Sequence, residues 1–236
     1  MEEKAEGGVK AAAVVTGGYC DTEAVRADRG LMDRLRDSYL IAADSGLSAA
    51  EALGLKPDLI VGDFDSYAGT LPEGKNAPEI IRVPAEKDVT DTVLACRIAL
   101  ERGYGRLLIL GGTGGRADHT LSNILWLYSL KKQGADAMLT DGRNEFRVLR
   151  DECASIPRVP GAMKAGGGDG WYFSFFALGN AWGERCTVTA SGCRYPLPEP
   201  AELGWDNPSF AVSNEVTEDE ARIRVTGTVL LIRSRG

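Results

Sequence analysis

Short apolar runs, broken by Gly, Pro and acidic residues, set the rhythm of the first 150 residues. Residues 9–15, 39–43, 58–62, 79–84 and 106–110 are runs of this kind. Their length and their β-branched or bulky content predict buried strands. Between them the apolar positions space out as on helices, at 28–36, 48–53, 90 to about 102, and 120–133. The second of these stops at Gly54, and Thr90 or Asp88 caps the third. Strands alternating with helices predict a parallel α/β sheet. Residues 137–140 and 145–149 read as two more strands about an Asp141-Gly142 turn.

Residues 151–170 are rich in Pro and Gly and carry no helical period. Beyond them the pattern is of strands alone, at 171–177, 186–189, 210–213, 221–225 and 229–232. The expected fold is therefore α/β: a parallel-sheet, Rossmann-like α/β/α domain over 1–150, then a small antiparallel β-sandwich domain over 151–236.

The strand ends carry the candidate chemistry. Gly17-Gly18, Asp44, and the Gly62-Asp63-Phe64-Asp65 stretch each follow a run, and ligands of parallel sheets bind at that edge. In an extended chain Asp63 and Asp65 point to one face, where their repulsion is offset by a cation; oxygen-only ligands suit Mg²⁺. An Asx turn after a strand uses the same residues. Asp88 and Asp91 cluster at a helix start, where an acid is favourable in its own right. The run 106–110 leads into Gly111-Gly112-Thr113-Gly114-Gly115-Arg116, then Asp118, His119 and a helix. Strand, Gly-rich turn, helix is a geometry that cradles phosphate with backbone N–H groups, and Arg116 adds a charged fork. Neither a Walker A nor a GxGxxG pattern is present.

Composition removes other classes. A net charge of −7 without a basic run argues against nucleic acid as a partner. No apolar run reaches membrane-spanning length, and the first residues do not read as a signal peptide. Five dispersed Cys without a CxxC predict reduced thiols and a cytoplasmic protein. The single His, His119, leaves no room for a His-rich metal site or a separate Ser-His triad; it reads as a hydrogen-bonded structural residue. Metal carboxylates beside a phosphate-cradling turn point to Mg-nucleotide chemistry, which needs positioning and charge neutralisation more than a protein nucleophile.

In order and spacing, Asp44-Ser45-Gly46, the 57–66 stretch, Lys87-Asp88-Val89-Thr90-Asp91 and the 111–119 stretch resemble the thiamine pyrophosphokinases. Ser191-Gly192-Cys193-Arg194-Tyr195-Pro196-Leu197 and Ser213-Asn214 look like later motifs of that family. The resemblance implies an ATP-binding catalytic domain, a thiamine-binding and dimerising β domain, and transfer of pyrophosphate from ATP to the thiamine hydroxyl with release of AMP. It implies Mg²⁺ on Asp63, Asp65 and Asp91, with Asp44 and Asp88 completing a catalytic acidic set. ATP would lie on Gly17, Gly18, Gly111, Gly112, Thr113, Gly114, Gly115, Arg116, Asp118 and Asn123. Thiamine would meet Tyr195, Ser213 and Asn214 at the interface of a homodimer with composite sites. Val93 departs from the pattern, standing where many members carry an acid, as does Cys193-Arg194 in place of Leu-Lys; an insertion-like loop spans 158–170. Two other readings use the same residues: a nucleotide-binding regulatory module without chemistry, and a pyrophosphokinase or phosphohydrolase acting on another small alcohol or nucleotide.

Overall fold

The computed structural model of the chain describes residues 9–64, 69–84, 86, 88–159 and 170–236. Asp65 and most of the 158–170 loop lie outside the described residues. Contacts group the chain into two compact units, Met1–Gly142 and Arg143–Gly236.

The first unit opens with β1 (Ala11–Val15), α1 (Thr22–Ala27), α2 (Arg29–Arg36), β2 (Tyr39–Ala43), α3 (Gly46–Ala52) and β3 (Leu59–Gly62). It continues with β4 (Glu79–Arg82), α4 (Asp91–Glu101), β5 (Arg106–Leu110), α5 (Ala117–Lys132) and β6 (Asp136–Thr140). The strands pair in parallel in the order β4-β3-β2-β1-β5-β6. The chain thus steps from β1 to β4 in one direction, returns, and continues through β5 on the other side of β1. Such a reversal opens a crevice at the carboxyl ends of the two central strands, here β1 and β5.

Helices cover the sheet because a parallel sheet is apolar on both faces. Ala13 and Val15 of β1 share a core with Val25, Leu31, Met32 and Leu35 of α1 and α2 and with Ala50 of α3. Ala12 and Val14, which alternate with them, are equally buried, and α4 packs across β1, β2 and β3. The helix expected at 28–36 is α2, and a further short helix, α1, precedes it. Asp28 ends α1 and, through its side chain accepting from the Leu31 N–H at 2.9 Å, begins α2. Thr90 caps α4, accepting from the Val93 N–H at 3.3 Å; Val93 itself is buried.

The second unit contains β7 (Asn144–Arg150), β8 (Cys153–Pro157), β9 (Trp171–Ala177), a 3₁₀ turn (Gly179–Trp182), β10 (Cys186–Ser191), β11 (Leu197–Leu203), β12 (Glu220–Thr226) and β13 (Thr228–Arg235). β7, expected at the end of the first domain, pairs antiparallel with β13, which also pairs with β9. The other sheet runs β11-β10-β12-β8, all antiparallel. β12 shows the alternation that makes a sandwich: Ala221, Ile223 and Val225 point inward to Phe173, Phe175, Val188, Val229 and Leu231, while Arg222 and Arg224 are exposed. The strand expected at 210–213 is instead a turn that ends in the positive-φ residue Ser213 (φ 58°).

Gly46 shows how closely the first unit is built. A β-carbon there would stand 2.6 Å from the carbonyl carbon of Val15 and 2.8 Å from Thr16 Cα, both backbone atoms. Gly46→Ala is therefore expected to destabilise the protein by about 1–3 kcal/mol or more. A urea titration should show a lower midpoint at unchanged slope.

Candidate active site

β1 runs into Thr16-Gly17-Gly18, and β5 into Gly111-Gly112. The two turns touch through their backbones: a β-carbon on Gly18 would stand 2.6 Å from Gly112 Cα. Gly112 is left-handed (φ 81°), and a β-carbon there would stand 2.8 Å from the side-chain nitrogen of Asn123. That nitrogen donates to the Gly112 carbonyl at 2.8 Å from a buried position on α5. The Thr113 hydroxyl donates to the buried Asp141 carboxylate at 2.7 Å, and the Tyr19 N–H donates to the Thr113 carbonyl at 2.7 Å. Thr16 and Thr92 join their hydroxyls at 2.7 Å, tying the end of β1 to the first turn of α4.

The acidic residues arrive from neighbouring strand ends. Asp44 follows β2 in the left-handed region (φ 50°), with its N–H donated to the Val61 carbonyl at 2.8 Å. Asp63 follows β3. Phe64 then also turns left-handed (φ 63°), packing against Ala42, Leu47 and Ile60 with the Arg82 guanidinium 5.2 Å from its ring centre. β3 stops at Gly62 and the chain is no longer extended at Phe64; Asp65, expected on one face with Asp63, lies outside the described residues. Asp91 is the first residue of α4, and Asp88 precedes it by three positions.

Asp44, Asp63, Asp88 and Asp91 all line one cleft of about 780 Å³. The same cleft is lined by Gly17, Gly18, Gly112, Thr113, Gly114 and Gly115, with Arg116 and Asn123. Gly111 does not line it but is buried beneath, its N–H donated to the Thr140 carbonyl at 2.8 Å. Carboxylate oxygens are the donors a hard divalent cation takes. Among the described residues no group of three His, Cys, Asp or Glu stands ready to hold a metal ion. Asp65, the remaining expected ligand, lies outside those residues. Tyr19, Ser45 and His119 also line the cleft. The first two were not singled out, although each adjoins a glycine at a strand end, which was the available signal. His119 was read as structural, and it is exposed in the first turn of α5.

Asp118 is not part of the cleft wall; it grips Arg116, which is. Arg116 forks onto it with Nε–Oδ1 at 3.2 Å and Nη2–Oδ2 at 2.6 Å. The guanidinium holds the Asp118 carboxyl down to about 2.

The residues expected at thiamine lie in the second unit. Tyr195 is 62 % exposed. Asn214 is buried; it accepts from the Tyr195 N–H at 3.0 Å and donates to the Tyr195 carbonyl at 2.8 Å. The Ser213 N–H donates to Ser174 Oγ at 3.1 Å. Arg194, which departs from the resembling pattern, pairs with Glu215 at 2.6 Å.

A family model described as the catalytic domain of thiamin pyrophosphokinase matches residues 34–139. The thiamine pyrophosphokinase of Bacillus subtilis (strain 168) is 31 % identical over 198 residues, which is 82 % of this chain and 86 % of that one. The chain belongs to the thiamine pyrophosphokinase family. A crystal structure of the Bacillus subtilis thiamine pyrophosphokinase superposes with a TM-score of 0.75 at 26 % identity, covering 96 % of this chain and all of the other (100 %). The thiamin pyrophosphokinase from Candida albicans shares the fold at 13 % identity, with a TM-score of 0.73 over 96 % of this chain and 89 % of that one. All the cleft acids and the Gly-rich turn fall within the stretch matched to the thiamin pyrophosphokinase catalytic domain, whereas Gly17, Gly18 and Tyr19 precede it.

The Arg116–Asp118 pair has a testable sign. A depressed carboxyl pKa means that the pair contributes above the ordinary carboxylate pKa and is lost as pH falls toward about 2. In Arg116→Ala the Asp118 carboxyl should titrate near its ordinary value of about 3.9. Side-chain carboxyl NMR across pH 1.5–6 would read it. The pair is exposed, so global stability should barely change.

Proposed function

We propose that the chain transfers a pyrophosphoryl group from ATP to the hydroxyl of thiamine, giving thiamine diphosphate and AMP. One observation carries this reading: four carboxylates and a Gly-rich turn line a single cleft, in a chain of this family. The backbone N–H groups of Gly112, Gly114 and Gly115 and the fork of Arg116 receive the phosphates. Asp118 acts through Arg116, and Asn123 through the Gly112 carbonyl it holds. The thiamine oxygen forms a bond to the β-phosphorus, the bridge to the α-phosphate breaks, and AMP departs with the bridging oxygen. Asp44 and Asp88 are placed at the cleft to take the hydroxyl proton. Asp63, Asp65 and Asp91 would hold Mg²⁺, which when bound neutralises the charge of the triphosphate. A regulatory module that only binds nucleotide would need the Gly-rich turn but not this density of acids.

Thiamine is a flat cation and calls for an aromatic face. The cleft wall offers carboxylates, and the exposed ring of Tyr195 supplies such a face in the second unit. Ser213 joins it as a polar contact, and Asn214 fixes the backbone of Tyr195. We assign these residues to the site of a second copy, so that the working enzyme is a homodimer with composite sites. The five cysteines are all free thiols, and no helix of the described residues is long and apolar enough to cross a membrane. The free thiols support work in a reducing cytoplasm.

With ATP, Mg²⁺ and thiamine, the protein should release AMP and thiamine diphosphate in equal amounts; ATP consumption without thiamine diphosphate would overturn the assignment. Asp63→Asn should lower kcat by about 10²–10³-fold with the fold intact by circular dichroism. Mixing Asp65→Asn with Tyr195→Ala should restore part of the activity that each lacks alone. Verified heterodimers without recovery would place the whole site within one subunit.

A further inference from the structure

We infer that Tyr19 is the platform on which the nucleobase of the phosphate donor stacks; this rests on the ATP reading of the cleft. Three observations converge on it. First, Tyr19 lines the cleft and is 51 % exposed, so its ring faces the site and not the core. Second, its backbone is fixed against the Gly-rich turn: its N–H donates to the Thr113 carbonyl at 2.7 Å, and the two residues form an antiparallel bridge. Third, the root of its side chain rests on bare backbone. A β-carbon on Gly114 would stand 2.6 Å from Tyr19 Cβ and 3.4 Å from Cγ. The base of the side chain therefore stands beside the turn that takes phosphate.

A nucleotide whose phosphates occupy that turn leaves its base to be held elsewhere in the cleft. A base gains from a flat π face, and an aromatic ring serves any base because each has such a face. Among the described residues lining the cleft, the only other flat ring is the imidazole of His119. Nothing in the fold requires an aromatic residue at position 19: its ring joins none of the buried clusters. An exposed, rooted aromatic beside a phosphate turn is a contact surface for a ligand.

The test separates base from phosphate. Calorimetric titrations, all with Mg²⁺, compare ATP with inorganic tripolyphosphate on the wild type, Tyr19→Phe, Tyr19→Leu and Tyr19→Ala. Tyr19→Ala should lose about 5- to 100-fold in ATP affinity and keep its affinity for tripolyphosphate. Tyr19→Phe, which retains the ring, should match the wild type. Tyr19→Leu, which keeps bulk over Gly114 without a π face, should behave as Tyr19→Ala does and guards against a variant that merely misfolds. Unchanged ATP affinity in the Leu and Ala variants would overturn the inference, as would equal loss for both ligands, which would make Tyr19 a support of the phosphate turn. A wild type that binds neither ligand would instead overturn the ATP reading itself, and this inference with it.

Discussion

Where the strands of the first unit end, backbone has to meet backbone. Gly18 lies on Gly112, Gly46 on Val15 and Thr16, and Gly62 on Asp44, each at a separation that excludes a β-carbon or leaves it the barest room. These contacts hold the ends of β1, β2, β3 and β5 closer than side chains would allow. The site follows from that closeness. With little room for side chains between them, the turns and the acidic strand ends line one crevice, and the strand order fixes where it opens. The glycines are thus not a flexible element of this protein. Several are its most constrained points, and the rigidity of the turns comes from what surrounds them: Asn123 on Gly112, Asp141 on Thr113, Thr92 on Thr16.

The crevice is electrically unfavourable for the ligand proposed for it. It carries four carboxylates in a chain of net charge −7, and its arginine already leans on an acid. Neutral donors from the backbone soften this, but a polyphosphate needs a cation beside it. Two residues at the strand ends, the acid Asp44 and Phe64 beside Asp63, sit in backbone conformations that cost about 1–3 kcal/mol each. Phe64 is the more informative. A bulky side chain takes that conformation only when its surroundings impose it, and here the ring is held among Ala42, Leu47 and Ile60. Packing of the half-buried ring thereby directs the chain that leads into it, including Asp63.

The parallel half was legible because its signals are local. A buried parallel strand is a continuous apolar run, as in 106–110, and the glycine pairs and acids mark where each run stops. What escaped had competing signals. β11 reads Leu-Pro-Glu-Pro-Ala-Glu-Leu, and two prolines in seven residues look like a loop. β8 is short and mostly solvent-facing, with Ile156 its sole large apolar residue. Residues 210–213 were read as a strand for Phe210, Ala211 and Val212, yet they form a turn, and Phe210 is exposed. The side chain of Asn214 is bonded to the backbone of Tyr195, a contact that no spacing rule reveals. Tyr19 was overlooked for a related reason. Its neighbour Gly114 lies nearly a hundred residues along the chain, and beyond the glycine beside it the sequence carries no sign of that contact.

The prolines that hid β11 have a consequence for assembly. Pro198 and Pro200 lie in one edge strand of the four-stranded sheet, and Pro157 lies in the other, β8. Each removes a backbone donor, and the pairing of β11 also slips register between Val188 and Ala190 of its neighbour. An edge so interrupted is a poor template for another strand. This sheet cannot readily grow by adding a ribbon from a second molecule, so copies of the chain are steered away from open-ended stacking at these edges. At this sheet, its face and loops are left as the surfaces open to a partner.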